Sequence, residues 1–246
     1  MAVLAVENLS KAYDGVQALR GVSFAVDAGE LVAMIGPNGA GKTTCFNIVN
    51  GQVRPDAGEV TLEGKALAGL APRRIWRLGV GRTFQVAATF GSMSVRENVQ
   101  MALLSHHRML GSFLRPAESL LREEAAGLVA QVGMADQADR PCSVLAYGDL
   151  KRVELAIALA HRPRLLLMDE PTAGMAPEER EQLMSLAAQL ARRDRIAVLF
   201  TEHDVDVVFG FADRVIVLHG GEVIAAGAPA EVRRDARVRE VYLGDA

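Results

Sequence analysis

The stretch that most constrains this chain is Leu31-Val-Ala-Met-Ile-Gly-Pro-Asn-Gly-Ala-Gly-Lys-Thr-Thr44. Its apolar run, Leu31 to Ile35, reads as a buried strand. The strand empties into a glycine-rich turn, after which Cys45, Phe46, Ile48 and Val49 give a helical pattern halted at Gly51. Gly36 and Gly41-Lys42-Thr43 satisfy the template G-x-x-x-x-G-K-[ST] in the strand-then-helix setting it requires. Glycine matters there because a side chain would hold backbone N–H groups away from phosphate oxygens. Those N–H groups and the helix N-terminus make a concavity for an anion. Lys42 is expected to reach the β- and γ-phosphates, and the Thr43 hydroxyl to hold Mg²⁺. The expected nucleotide-binding set here is Gly36, Asn38, Gly39, Ala40, Gly41, Lys42, Thr43 and Thr44.

The totals narrow the function classes. The chain has 246 residues, half of them apolar and 23% charged, which is ordinary globular composition. A net charge of −3 argues against a nucleic-acid partner, which selects for a basic excess. The cysteines, Cys45 and Cys142, show no C-x-x-C spacing and read as reduced thiols. The opening Met-Ala-Val-Leu-Ala-Val-Glu lacks the basic-then-apolar layout of a signal peptide. No apolar run reaches the length of a membrane span, and the most apolar region, 153–168, is broken by Glu154, His161, Arg162, Pro163 and Arg164. A soluble protein is expected.

Residues 3–9 and 22–26 read as strands, and Gly58 to Gly64 bounds another short alternating one. From about 93 to 160 the character is helical. Ser94-Val-Arg-Glu97 fits a capping box ahead of Val99, Leu103 and Leu104, and Pro116 precedes a second helical stretch ending near Gly133. Strands return at 165–168, 197–200 and 214–218, with helices at 178–192 and about 204–211 between them. That alternation predicts βαβ units and a largely parallel sheet. His219-Gly-Gly-Glu222 signals a hairpin, and residues 229–243 read as a helical tail.

Leu165 to Met168 is an apolar strand ending in Asp169-Glu170. The strand delivers Asp169 to the sheet edge beside the phosphate loop, where it can hold Mg²⁺ through water. Glu170, one residue on, points the other way, toward the γ-phosphate, where a base must orient the attacking water. Thr201-Glu202-His203 follows the next strand in the same manner, so His203 is expected to touch the γ-phosphate or to organise Glu170 and water.

In this order the motifs resemble the ABC ATPase family over essentially the whole chain. The resemblance implies an α/β P-loop NTPase (RecA-like) core with a mixed, largely parallel sheet, an antiparallel β subdomain and an inserted α-helical subdomain. It implies one domain over 1–246, with the core at 1–90 and 161–228, the helical subdomain at 91–160 and a C-terminal tail at 229–246. Tyr13 matches the aromatic that stacks on adenine. Gln85, in Gly81-Arg-Thr-Phe-Gln85, matches the glutamine that senses Mg²⁺ and the attacking water. Leu145, Ala146, Tyr147, Gly148 and Asp149 occupy the place of the Leu-Ser-Gly-Gly-Gln signature, which would contact nucleotide at the start of a helix.

Two departures stand out. Ala146 replaces the serine whose hydroxyl donates to the γ-phosphate, and Tyr147 replaces the first glycine; one lost hydrogen bond to a charged group costs about 1.5–3 kcal/mol. Ala176 stands at the usual aspartate after the carboxylates. Ala146 is therefore expected to weaken nucleotide-driven pairing. Gly81 to Gln85, Tyr147-Gly148, Ala173-Gly-Met175 and Val241-Tyr-Leu-Gly244 further resemble the ATP-binding subunit of branched-chain amino acid importers.

What that resemblance implies is an ATP- and Mg²⁺-dependent ATPase at the cytoplasmic face of the membrane. It would pair with a second ATPase subunit, identical or a sister, and drive two membrane permease subunits fed by an extracytoplasmic solute-binding protein. The competing readings are the ATPase of a lipid or lipopolysaccharide exporter and a non-transport ABC ATPase; no nucleic-acid partner is expected. Phe90 and Met93 suit either a permease-docking surface or core packing. Arg73 to Arg77 and Arg192 to Arg195 read as solvated helix faces, and His106-His107 as surface polar residues.

Overall fold

The computed structural model describes residues 2–83, 89–109 and 121–243. Two long strands, β1 (Ala2–Tyr13) and β2 (Val16–Asp27), form an antiparallel hairpin. The central β3 (Leu31–Ile35) runs into α1 (Lys42–Val49). Next come β4 (Ala57–Leu62), β5 (Lys65–Ala66), α2 (Pro72–Leu78) and β6 (Val80–Thr83). The helices α3 (Val95–His106), α4 (Arg122–Gln131) and α5 (Tyr147–Leu159) follow. The chain then alternates through β7 (Leu165–Asp169), α6 (Pro177–Asp194), β8 (Ala197–Thr201), α7 (Val205–Phe211) and β9 (Arg214–His219). A last strand, β10 (Glu222–Gly227), precedes α8 (Pro229–Val232), α9 (Ala236–Val238) and a π-helical turn at Arg239–Leu243.

Period-two alternation in β3 decides the layering. Leu31, Ala33 and Ile35 join a core with residues of α3, α4, α5 and α6, among them Val99, Val129, Val153 and Met184. Val32 and Met34 join the opposite core, with Phe46 of α1 and Leu4, Val26 and Leu62 of the antiparallel sheet. β3 is thus fully buried on both faces, and each large aliphatic side chain there contributes about 1.5–3 kcal/mol. Among the described residues two sheets result, a four-stranded one ordered β2-β1-β4-β5 and a six-stranded one ordered β10-β9-β3-β8-β7-β6. In the larger sheet β9, β3, β8, β7 and β6 run parallel and only β10 is antiparallel, closing the predicted hairpin. The parallel strand ends at Ile35, Asp169 and Thr201 therefore open on one edge.

The capping box ahead of α3 is present: the Glu97 amide donates to Ser94 Oγ at 3.2 Å and the Ser94 amide to Glu97 Oε2 at 2.7 Å. Both cysteines are free and buried, and burial pushes the Cys45 thiol up to about 12. Among the described residues no helix is long and apolar enough to cross a membrane.

Two elements take a form that the sequence pattern alone does not specify. The tail is helical as expected but in short pieces, because the Asp235 carboxylate accepts from the Arg237 and Val238 amides and starts a new turn after α8. Strand β6 carries no apolar alternation of its own; it is a strand because Val80 to Thr83 pair in register with Leu165 to Met168.

Candidate nucleotide site

Two backbone positions explain why the loop after β3 needs glycine. Gly36 sits at φ 147°, and a Cβ there would lie 2.0 Å from the Leu218 carbonyl oxygen. Gly41 sits at φ 107°, where a Cβ would lie 2.5 Å from the Ala18 carbonyl oxygen. The loop therefore packs against β9 and β2 with backbone alone, leaving Asn38, Gly39 and Thr43 outward. It bounds a cleft of about 280 Å³ lined by Asn38 to Thr44, Ala18, Glu170 and His203.

Lys42 is buried, and its Nζ donates to the Gly36 carbonyl at 2.6 Å and the Pro37 carbonyl at 3.1 Å. Burial pulls the ammonium below its ordinary pKa, while the carboxylates of Glu170 and Asp169 oppose that shift. The cation is thus held on its own loop, facing the acidic pair across the cleft.

The carboxylates are fixed by the register of β7 on β8, which sets Asp169 opposite Thr201. Asp169 Oδ1 accepts from Thr201 Oγ1 at 2.9 Å, and Oδ2 pairs with Arg82 Nη2 at 3.0 Å. Arg82 Nη1 also donates to Asn47 Oδ1 of α1 at 2.9 Å, so one guanidinium ties β6, β7 and α1 together. Glu170 lies just past the strand at φ 46°, a left-handed conformation costing a non-glycine residue about 1–3 kcal/mol. Its amide donates to Thr201 Oγ1 and to the Thr201 carbonyl, both at 3.1 Å, which holds that conformation. This turn brings Glu170 into the cleft, where Oε1 meets His203 Nε2 at 2.9 Å.

The structure thus brings the loop residues, Glu170 and His203 to one cleft, with Asp169 behind. Tyr13 ends β1 on the hairpin whose second strand supplies Ala18; it is 43% exposed, with Lys11 Nζ 5.4 Å from its ring centroid. Leu145 to Asp149 lie apart from the cleft lining, at the start of α5, with Asp149 accepting from Gln137 Nε2 at 2.9 Å. Ala146 occupies the N-cap with no side-chain oxygen to offer the first turn. At α6 the Ala176 amide donates to Glu179 Oε2 at 3.2 Å, and alanine again returns nothing. Gln85 lies outside the described residues. Sequence reasoning missed Arg82 and Thr201, although both stand within motifs it singled out.

A phosphate loop at the mouth of a buried parallel strand, faced by paired carboxylates and a histidine, defines a P-loop ATPase. The chain belongs to the ABC transporter family, whose model matches residues 19–173, and it is an ATP-binding cassette of that family. A second model, described as branched-chain amino acid ATP-binding cassette transporter, matches residues 222–246. The chain is similar to the high-affinity branched-chain amino acid transport ATP-binding protein LivG of Salmonella typhimurium, at 38% identity over 99% of this chain and 98% of that protein. It is also similar to the crystal structure of the ADP conformation of MJ1267, an ATP-binding cassette of an ABC transporter, with TM-score 0.89, 31% identity and both chains covered in full. The dimeric post-hydrolysis structure of the cassette MJ0796, bound to ADP and Pi, superposes with TM-score 0.77 at 26% identity, covering 92% of this chain and 98% of that one.

Proposed function

We propose that this chain is the ATP-hydrolysing subunit of an importer that powers uptake of branched-chain amino acids or similar small polar solutes. It would work from the cytoplasmic face of the membrane, on permease subunits loaded by an extracytoplasmic solute-binding protein. The observation that carries the solute class is the match of the C-terminal residues 222–246 to the branched-chain model, joined to full-length similarity to LivG.

In the cleft, loop amides and Lys42 grip the triphosphate of ATP as substrate. Glu170, held at 2.9 Å by His203, accepts the proton of the attacking water, and His203 keeps that carboxylate aimed. Thr43 and Asp169 would offer hard oxygen donors, a set whose chemistry suits Mg²⁺. Thr43, Asp169 and Gln85 would hold Mg²⁺, which would supply neutralisation of the triphosphate's charge. The start of α5, with Leu145 to Asp149, is not among the residues that line its own cleft and suits the nucleotide of a second ATPase subunit, with Tyr13 serving the adenine. The dimeric cassette MJ0796 supports that pairing.

The test is phosphate release by the chain purified with its membrane subunits in proteoliposomes. Mg·ATP hydrolysis stimulated by a leucine-loaded binding protein is the expected result. Hydrolysis indifferent to leucine, isoleucine, valine and other small amino acids would overturn the solute class; absence of hydrolysis would overturn the catalytic assignment.

A further inference from the structure

Between the end of β8 and His203 stands Glu202, a carboxylate 3% exposed and deep beside the cleft. A carboxylate removed from water is costly unless its oxygens are hydrogen-bonded. Here three donors converge on it. The Thr172 amide and the Thr172 hydroxyl both donate to Oε1, at 2.8 and 2.7 Å, and the His203 amide donates to Oε2 at 3.3 Å. Burial pushes this carboxyl above the usual range, and the Thr172 donors oppose that shift.

The two segments it joins both bear on the reaction. Thr172 is itself buried, two residues after Glu170, in a turn closed by the Ala173 amide on the Glu170 carbonyl at 3.2 Å and the Met175 amide on the Thr172 carbonyl at 3.1 Å. His203 follows Glu202 directly. From the far side, Tyr242 Oη donates to the Glu202 carbonyl at 3.4 Å, so the C-terminal tail abuts the same junction.

We propose that Glu202 is a positioning residue for hydrolysis. Its carboxylate clamps the turn carrying Glu170 to the backbone of His203, so that Nε2 and Oε1 meet across two separate loops. The proposal rests on the ATPase reading above. Neither loop has this alignment from its own sequence: Glu170 leaves β7 in a left-handed conformation, and His203 is partly exposed. Glu202 touches neither phosphate nor water in this role and acts through its two neighbours.

The test uses Glu202→Leu, Glu202→Gln and Thr172→Val in the full-length chain with its membrane subunits, each with and without His203→Ala. Glu202→Leu is expected to lower kcat at least tenfold while KM for Mg·ATP stays within twofold. In the His203→Ala background the same substitution should cost less than threefold, a loss of additivity that a merely structural carboxylate would not produce. Glu202→Gln should recover only part of the rate, because its amide oxygen still accepts both Thr172 donors while its NH2 group cannot accept from the His203 amide. Thr172→Val should fall between. Equal penalties in the two backgrounds, or a wild-type kcat in Glu202→Leu with unchanged melting, would overturn the positioning role. Should Glu202→Leu not fold, a wild-type kcat in Thr172→Val overturns it equally, and a non-additive loss there supports it. An unsubstituted complex that fails to hydrolyse Mg·ATP overturns the ATPase reading and this inference together, whereas an active one with indifferent variants overturns only this inference.

Discussion

The phosphate loop and the segment Leu145 to Asp149 are both turns that open a helix, yet they are built on opposite plans. The loop is enclosed by its own chain: Gly36 and Gly41 press backbone against β9 and β2, and Lys42 is buried on loop carbonyls. The segment before α5 faces out, with Val144 58% and Tyr147 39% exposed and no side-chain cap at Ala146. A site finished inside one chain tolerates little change, because every atom already has a place. A site left open has its energetics decided by what docks on it. The difference teaches that the grip on nucleotide and the closure over it are separable by mutation.

The most severe break of that contrast is at Glu170. Glu170→Gln removes the proton acceptor and should lower turnover roughly 10²–10⁴-fold, with ATP affinity within about threefold of wild type. Single-turnover hydrolysis beside equilibrium nucleotide binding checks it. Lys42→Ala acts on the enclosed half and should weaken ATP binding about tenfold to a hundredfold, the weight of a charged hydrogen bond. Fluorescent-nucleotide titration reads this, and unchanged affinity would contradict the phosphate-loop assignment.

A smaller effect tests the anchorage of α5. His161, just past that helix, is buried with its ring 4.7 Å from Trp76 of α2, and burial pulls its pKa from the ordinary 6.5 down to about 4. The fold keeps it neutral while the unfolded chain takes up a proton. Its stabilising effect is therefore complete above pH 6.5 and is lost as pH falls toward 4, by about 3 kcal/mol at most. Denaturant melts across that window should show the slope, and His161→Phe should flatten it. The mildest change sharpens the open half: Ala146→Ser supplies the missing hydroxyl and should tighten ATP-dependent pairing about tenfold, the lower end of the range for a hydrogen bond to a charged group. Sedimentation of the Glu170→Gln protein with ATP, with and without Ala146→Ser, measures it.

Much of this was legible in the residues. Leu31 to Thr44 announced strand, turn and helix because each local preference there agrees with the fold, and Ser94 with Glu97 announced α3 by its reciprocal cap. What escaped the sequence depended on partners distant in the chain. β6 becomes a strand only beside β7, and that pairing alone sets Arg82 against Asp169. Thr201 and Glu202 gain their roles only because β8 lies next to β7, which brings their side chains to Asp169 and Thr172. The tail read as helical and is so, but Asp235 competes for the backbone amides and divides it into short pieces, which spacing alone does not show.

The short contacts from Lys42 to the carbonyls of Gly36 and Pro37 carry a consequence for selectivity. An ammonium already satisfied by neutral oxygens gains from a ligand only the difference between that ligand's field and theirs. A singly charged anion offers little over two carbonyls, while a chain of linked phosphates brings enough negative charge to draw the cation away. A lysine held in this way favours a polyphosphate over a weak anion by charge alone, with no side chain needed to exclude the latter.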